Sequence, residues 1–486
     1  MIDARRSDAV PLCRARGGYK SSRVAQTTDM KRARASDAGD DERGDGKGRD
    51  ARLREFLAWC AREKITIADD YVRIESHRAE ASCPTDGDDG AVRRHYCVRA
   101  TRDIPSGTTI FVVPKTSLMC ARNSESGDGI RDAALGGGLA LNACALAERA
   151  ASLQSARAPF AGYFGILAKY GEQTLPMFWD ETLRRELRGT ELERHLAEDD
   201  EAFREDYETH VAPLLDEYPD IFPRELCDLA AFKAVASIAA SRAFFVGGKY
   251  GECLVPCADL FNHRTGENSV AVFGVEDSSD DDDSDEAFDD NNDGDDNGEL
   301  VIKTVKLIKA GDELFNTFGS QSNASLLHKY GFCETHNEDM VTVTVDIECF
   351  EDAYGKDVMH AIYDAFKTKG SDEDVEVFEN QKYFEIERDG AVDDEFLRFV
   401  KAVAVEANAL KLTADDIDGS FTAESILKRV LDARMAKYGD LADLNEPVRE
   451  EQPPAGGGLV GRAAARLVRR QEVELLRRAQ AKLIDD

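Results

Sequence analysis

The side chains best suited to chemistry are few in kind: eight histidines and eleven cysteines, with carboxylates throughout. None falls into a familiar catalytic signature. There is no GxxxxGK[ST] loop to cradle a phosphate, no GxGxxG following a strand, no HExxH and no GxSxG. Phosphate-loop, dinucleotide, zinc-protease and serine-hydrolase chemistry are set aside on that ground. The histidines lie far apart and none joins a cysteine or carboxylate at the spacing of metal ligands, so no metal is expected. Cys253 and Cys257, the one close cysteine pair, read as two core thiols flanking a strand. Taken alone, His263 and His328 read as packing residues. An odd cysteine count without CxxC reads as reduced thiols.

Charge narrows the partners. The formal net charge is −33, and Glu276 to Glu299 alone holds 14 Asp and Glu with no Lys or Arg. A chain this acidic is poorly made to grip nucleic-acid phosphates, and a basic protein is the expected partner. No stretch approaches the roughly 18–20 uncharged apolar residues of a membrane span; the longest, Ala234 to Gly248, is broken by Arg242. Residues 1–50 carry 12 Lys and Arg against 9 Asp and Glu without an apolar signal region, and read as a disordered tail. Within it Lys31-Arg32-Ala33-Arg34 is a nuclear import patch or part of a solvated tail with no address. The Arg/Ser-rich start also fits import into an organelle such as the chloroplast, leaving nuclear, cytoplasmic and organellar locations open. A monomer is expected.

The elements that must position the chemistry follow from periodicity. Leu53, Phe56, Leu57 and Cys60 recur at helical spacing, which predicts a first amphipathic helix to about Lys64. A polar insertion, Ala79 to Gly90, precedes Tyr96 to Ile104, a Ser106-Gly107 turn and the β-branched run Thr109 to Pro114; these two strands are expected to form a hairpin. Residues of about 136–240 read as a helical insert. Strand character returns at Cys253 to Pro256, Ser269 to Val275 and Leu300 to Ile308, so the acidic segment 276–299 is expected to be a floppy loop between paired strands. After Val341 to Val345 helical periodicity dominates, near Glu395 to Ala409, Ala423 to Ala436 and Arg462 to Leu483, with a Pro453 to Gly458 linker before the last. The expected fold class is α+β, in three parts: the tail 1–50, a first domain 51–345 and a mostly helical region 346–486.

One ordered string of segments goes further. It runs through Ala100-Thr-Arg-Asp-Ile104, Val112-Val-Pro114, Phe160-Ala-Gly-Tyr-Phe-Gly-Ile-Leu167, Leu175-Pro-Met-Phe-Trp179 and Leu187-Arg-Gly-Thr-Glu-Leu192. It continues with Ser241-Arg242, Val255-Pro-Cys-Ala-Asp-Leu-Phe-Asn-His263, Gly311-Asp-Glu-Leu-Phe-Asn-Thr-Phe-Gly319, Ser322-Asn323 and Lys329-Tyr-Gly-Phe332. Together these resemble the SET-domain protein-lysine methyltransferases, in the branch typified by the Rubisco large-subunit enzyme and its ribosomal-protein and nuclear relatives. The resemblance implies a SET domain of short strands with a helical insert, followed by a helical substrate-binding domain, and S-adenosylmethionine as methyl donor.

Residue by residue, the resemblance assigns donor contacts to Asn262 and His263, and a grip on the donor carboxylate to Arg242, whose guanidinium suits a bidentate carboxylate. Backbone at His95, Tyr96 and Cys97 falls where the family has Gly-x-Gly; both glycines are absent. Asp259 and Phe160 fall at substrate-binding positions. Phe318 replaces the family's catalytic Tyr and lines the channel, while Tyr330 keeps its hydroxyl and is the candidate catalytic and donor-contacting residue. A substrate lysine, with a reference pKa near 10.4, becomes nucleophilic only when desolvated, and in-line methyl transfer depends on alignment more than on a strong base. Two alternatives stand beside this reading: a SET-fold binding protein without turnover, and an acidic chaperone for basic partners built on Glu276 to Glu299.

Overall fold

The computed structural model describes residues 51–79, 93–167, 174–275, 298–337, 341–380, 382–412, 421–441 and 458–485. The tail 1–50, nearly all of the Ala79 to Gly90 insertion, the acidic run through residue 297 and most of the Pro453 to Gly458 linker lie outside them.

Among the described residues, ten strands form one four-stranded sheet and three two-stranded ribbons. They are β1 (Thr66–Ile67), β2 (Val72–Ala79), β3 (Arg93–Ala100), β4 (Thr109–Pro114), β5 (Ala243–Phe245), β6 (Glu252–Leu254), β7 (Val270–Phe273), β8 (Glu299–Thr304), β9 (Val343–Val345) and β10 (Phe384–Ile386). The larger sheet has the order β1-β4-β8-β7, with β2 paired to β3, β5 to β6 and β10 to β9.

β3 and β4 do not form the hairpin that sequence suggested. β3 pairs antiparallel with β2, and β4 pairs with β1 on one side and β8 on the other. The reason lies in burial: Ile110, Phe111 and Val113 have no exposed surface, so β4 needs cover on both faces and both edges. A two-residue turn brings strands close in sequence but does not choose their partners. The expected pairing across the acidic segment does hold, with Val270 opposite Thr304 and Phe273 opposite Val301.

The first helix, Ala51–Arg62, buries Phe56, Trp59 and Cys60. It lies so close to the short helix Ala161–Ile166 that a Cβ on Gly162 would come 2.3 Å from Trp59 Cβ, which leaves glycine as the residue that fits. In the insert, the helices Gly137–Gln154 and Leu229–Arg242 belong to the main core. The second is apolar nearly all round, as a helix buried inside a domain must be. Asp228 caps it by accepting a hydrogen bond from Ala231 N–H at 2.7 Å.

A second core forms beyond residue 341, where Phe350, Phe384, Phe396 and Phe399 stack, with the rings of Phe384 and Phe396 4.8 Å apart. The helices Asp394–Ala409, Ala423–Ala436 and Gly461–Asp485 match their periodicity closely. A third cluster binds Trp179, Leu183, Leu187 and Leu192 of the insert to Leu467 and Val468 of the last helix. Beside it lies a buried polar network. Glu191 meets Arg434 at 2.9 Å and accepts from Thr344 N–H at 2.8 Å, and the Tyr438 hydroxyl donates to Glu472 Oε2 at 2.6 Å. Among the described residues no helix is long and apolar enough to cross a membrane. All nine described cysteines are buried and free, Cys253 and Cys257 included.

Candidate functional site

Three stretches distant in sequence meet beside the β2–β3 ribbon. The segment 311–315 runs along β3, with Leu314 N–H donating to Val98 O at 2.9 Å and Ala100 N–H to Asp312 O at 2.9 Å. Asn262 forms a parallel bridge with Phe315, and Asn316 N–H donates to Asn262 O at 3.0 Å. The Asn262 side chain ties all three together: its Nδ2 donates to Tyr96 O at 3.3 Å and to Glu313 Oε1 at 2.7 Å. Glu313 was not singled out from sequence; only its contact with Asn262 reveals it.

Next along the chain, His263 begins an aromatic stack. Its ring lies 4.9 Å from that of Phe318 at 20°, and Phe318 lies 4.5 Å from Tyr330 at 27°. Phe332 packs against both His263 and Tyr330, at 6.2 and 6.4 Å. These spacings fall in the range of attractive ring pairs. The Phe318 N–H donates to His263 Nδ1 at 2.9 Å, so that nitrogen is the acceptor and the ring proton sits on Nε2, 3.2 Å from Thr265 Oγ1. Burial pushes the His263 imidazole below its ordinary value, which keeps it neutral at pH 7.

Tyr330 is placed by the end of its helix. The helix Asn323–Tyr330 starts at Ser322, whose side chain accepts from Ser325 N–H, and stops at Gly331, which takes a left-handed conformation with φ of 79°. A side chain there would also run into Thr174, so glycine both ends the helix and fixes the last residue before it.

Arg242 is the last residue of its helix, and its Nη1 donates to Asp259 O at 2.6 Å while lying 3.7 Å from Asp259 Oδ2. The Asp259 side chain is 0% exposed and accepts at Oδ2 from the Tyr163 hydroxyl at 2.8 Å. Burial pushes the Asp259 carboxyl upward against the pull of Arg242 and Tyr163; the Tyr163 phenol is pushed well above its usual value by burial and by Asp259. The turn that carries Asp259 begins at Cys257, whose φ of 72° is rare for a residue with a side chain. Tyr163 is a second residue missed from sequence, and the signal for it was its place in the Phe160 to Leu167 segment.

Phe160 is buried against Trp59, their rings 6.3 Å apart, and among the described residues it makes no ring contact with Phe318 or Tyr330. The structure thus gathers His95, Tyr96 and Cys97 on β3 with Asn262, His263, Phe318 and Tyr330, pairs Arg242 with Asp259, and sets Phe160 in the core. A separate polar cavity of about 570 Å³ is lined by Arg99, Glu313 and Phe315 and by the charged trio Arg264, Glu267 and Lys306.

Comparison with known proteins bears on the fold that carries these residues. Residues 95–319 match the SET domain family. The chain is 25% identical to the N-lysine methyltransferase SETD6 of Bos taurus over 313 residues, covering 61% of this chain and 60% of that protein. The Homo sapiens protein of the same name is 25% identical over 317 residues, covering 60% and 61%. The match therefore spans about 60% of the length of these curated relatives. Among solved structures, the SET domain of LSMT bound to lysine and AdoHcy superposes with a TM-score of 0.60 at 21% identity, covering 90% of this chain and 92% of that one. Rubisco LSMT bound to AdoMet gives 0.57 at 22% identity, with the same coverage. The fold is that of a SET domain with a helical C-terminal region.

Proposed function

We propose that this chain, whose residues 95–319 form a SET domain, is an S-adenosylmethionine-dependent protein-lysine N-methyltransferase acting on a basic protein. The observation that carries the reading is the convergence of Asn262, β3 and the His263–Phe318–Tyr330 stack within that fold. The names of the relatives support it.

The residues present fit the donor. The Arg242 guanidinium is 37% exposed and spends Nη1 on Asp259, leaving other N–H groups for a carboxylate. Both Nδ2 hydrogens of Asn262 are engaged, so Oδ1 is the atom that would accept from an ammonium group. Asp259 and Tyr163 act through Arg242, holding its side chain from beneath. When bound, S-adenosylmethionine supplies an electrophilic methyl on a sulfonium. His263, neutral and fixed as a tautomer, anchors the Phe318 backbone, and the stacked rings of Phe318 and Tyr330 form an apolar wall. Such a wall lowers the pKa of a lysine amine and excludes water. The Tyr330 hydroxyl orients the amine, and alignment is the larger part of the catalysis. Substrate docking is assigned to the helical region 346–486.

The test is incubation of the full chain with labelled S-adenosylmethionine and fractionated basic proteins. Label on lysine is expected; donor binding without any transfer defeats the reading. That outcome would favour a second one, a donor-binding protein without turnover, for which the supporting observation is Phe318 itself, a ring without a hydroxyl at the centre of the stack.

A further inference from the structure

The β2–β3 ribbon places metal-ligating side chains together that are some twenty residues apart in sequence. Its register sets Glu75 opposite Cys97 and His77 opposite His95. Alternate residues on a strand point the same way, so all four share one face of the ribbon. Donor atoms of Glu75, His77 and Cys97 all lie within 4.8 Å of one another. Cys97 Sγ is 3.4 Å from His77 Nε2, and His77 Nε2 is 3.4 Å from Glu75 Oε2.

The two separations made by His77 have the dimensions of edges of a coordination polyhedron. With metal–sulfur bonds of about 2.3 Å and metal–nitrogen or metal–oxygen bonds of about 2.0 Å, the edges of a tetrahedron are about 3.5 Å for S to N and about 3.3 Å for N to O. Both observed distances lie within roughly 0.1 Å of these edges. The mixed thiolate, imidazole and carboxylate set suits zinc and its neighbours rather than magnesium or calcium. We propose that this face of the ribbon binds one zinc-class divalent cation through Cys97, His77 and Glu75, with His95 or water in the fourth position.

Binding forms a sulfur–metal bond as the Cys97 S–H proton leaves to solvent, while His77 and Glu75 each give a lone pair. Burial and the Glu313 carboxylate push the Cys97 thiol up to about 11, so the metal has to displace that proton. Glu75 is already gripped by Arg99 at 2.9 Å and Arg73 at 2.5 Å, and Arg99 lies 3.8 Å from Glu313. The two arginines oppose a cation, whereas the Cys97 thiolate and the Glu75 and Glu313 carboxylates favour it. A ligating carboxylate held by outside hydrogen bonds is the usual arrangement around metal sites. The site also gives a purpose to His95 and Cys97, which stand where the resemblance leads one to expect glycines. Its effect is to clamp β2 to β3 beside Tyr96, whose carbonyl receives Asn262.

The experiment uses the full chain, stripped with a chelator and titrated with zinc alone against a chromophoric competitor. One zinc per chain is expected, weakened by at least about 10–100-fold in Cys97→Ser and His77→Ala, since even outer partners of metal sites contribute that much. Cys349→Ser, a change at a buried cysteine elsewhere, should leave zinc affinity as it was. Cobalt in place of zinc should give the wild-type chain a thiolate-to-metal charge-transfer band that Cys97→Ser lacks. The cobalt spectrum of the wild-type chain needs no variant to fold, and absence of the thiolate band overturns the proposal. Undiminished one-to-one binding in folded Cys97→Ser and His77→Ala overturns it too, because the metal then sits elsewhere.

Discussion

Glu472 should make the fold weaker as pH rises, and its replacement by Gln should remove that dependence. The carboxyl is almost fully buried, Oε2 accepts from Tyr438 O–H at 2.6 Å, and Oε1 has no hydrogen-bond partner among the described residues. Burial pushes it from an ordinary 4.5 up to about 8, against the opposing pull of Arg434. An acid whose pKa is raised on folding binds its proton more tightly in the folded state. Its contribution is therefore fully present below about pH 4.5 and is lost as pH climbs to about 8. At about 1.4 kcal/mol per unit, the span bounds the loss at about 5 kcal/mol. The assay is urea unfolding of wild type and Glu472→Gln at several pH values from 5 to 8.5, with the difference between them isolating this one group. Wild type should lose stability relative to the variant steadily over that range, and the variant should be the more stable at pH 8.5. Parallel curves would refute the argument, because Glu472 would then ionise in the folded state as it does in the unfolded one.

Other consequences can be checked separately. Asn262→Ala removes hydrogen bonds to Tyr96 O and Glu313 and should weaken S-adenosylmethionine binding by about 1–3 kcal/mol in calorimetry. Phe318→Tyr should raise the methylation rate or alter the number of methyl groups added, and Tyr330→Phe should lower the rate by about 10²–10⁴-fold, both read by product mass spectrometry; equal rates for wild type and Tyr330→Phe would remove Tyr330 from the chemistry. Tyr163→Phe leaves Asp259 Oδ2 without its donor and should raise the donor dissociation constant more than it changes turnover, as measured by steady-state kinetics. Because β7 and β8 already pair at Phe273 and Val301, replacing residues 277–297 with a short Gly-Asn turn should leave the melting temperature nearly unchanged.

Much of this was legible in the sequence because the signals were local. The helix Ala423–Ala436 repeats its apolar positions at helical spacing, and Thr422 and Ser425 form a capping box at its start. The strands on either side of the acidic segment showed their β-branched runs. By contrast, Ile347–Tyr354, Lys356–Lys369 and Asp372–Glu379 fell within the region read as helical but without bounds of their own, since Gly355 and Gly370 break the periodicity between them. Partner choice was the other blind spot. Nothing near β3 says that β2 lies alongside it, and so neither the displaced hairpin nor the meeting of His77 with Cys97 could be seen from spacing alone. In the candidate site, Asn262, His263, Phe318 and Tyr330 were visible through their motifs. Glu313 and Tyr163 were not, because their importance rests on the single atom each one touches.

The order of the main sheet bears on how the chain reaches this state. β4 lies against β8, with Thr109 opposite Lys303, so that almost two hundred residues must be looped out before the central pairing can close. For a flexible loop of that length the closure entropy is about 4–5 kcal/mol, recovered only when the pairing and its apolar faces form together. The helices between residues 137 and 242 need no such closure and can form from local contacts first, shortening the effective loop. The ring stack and the Asn262 contacts draw on segments at 262–263 and 313–330, on either side of β8. During synthesis the helical insert is therefore on the growing chain before the residues that complete the site. The site needs residues 313–330, which follow β8 in the chain, so it is completed only after they too have been added.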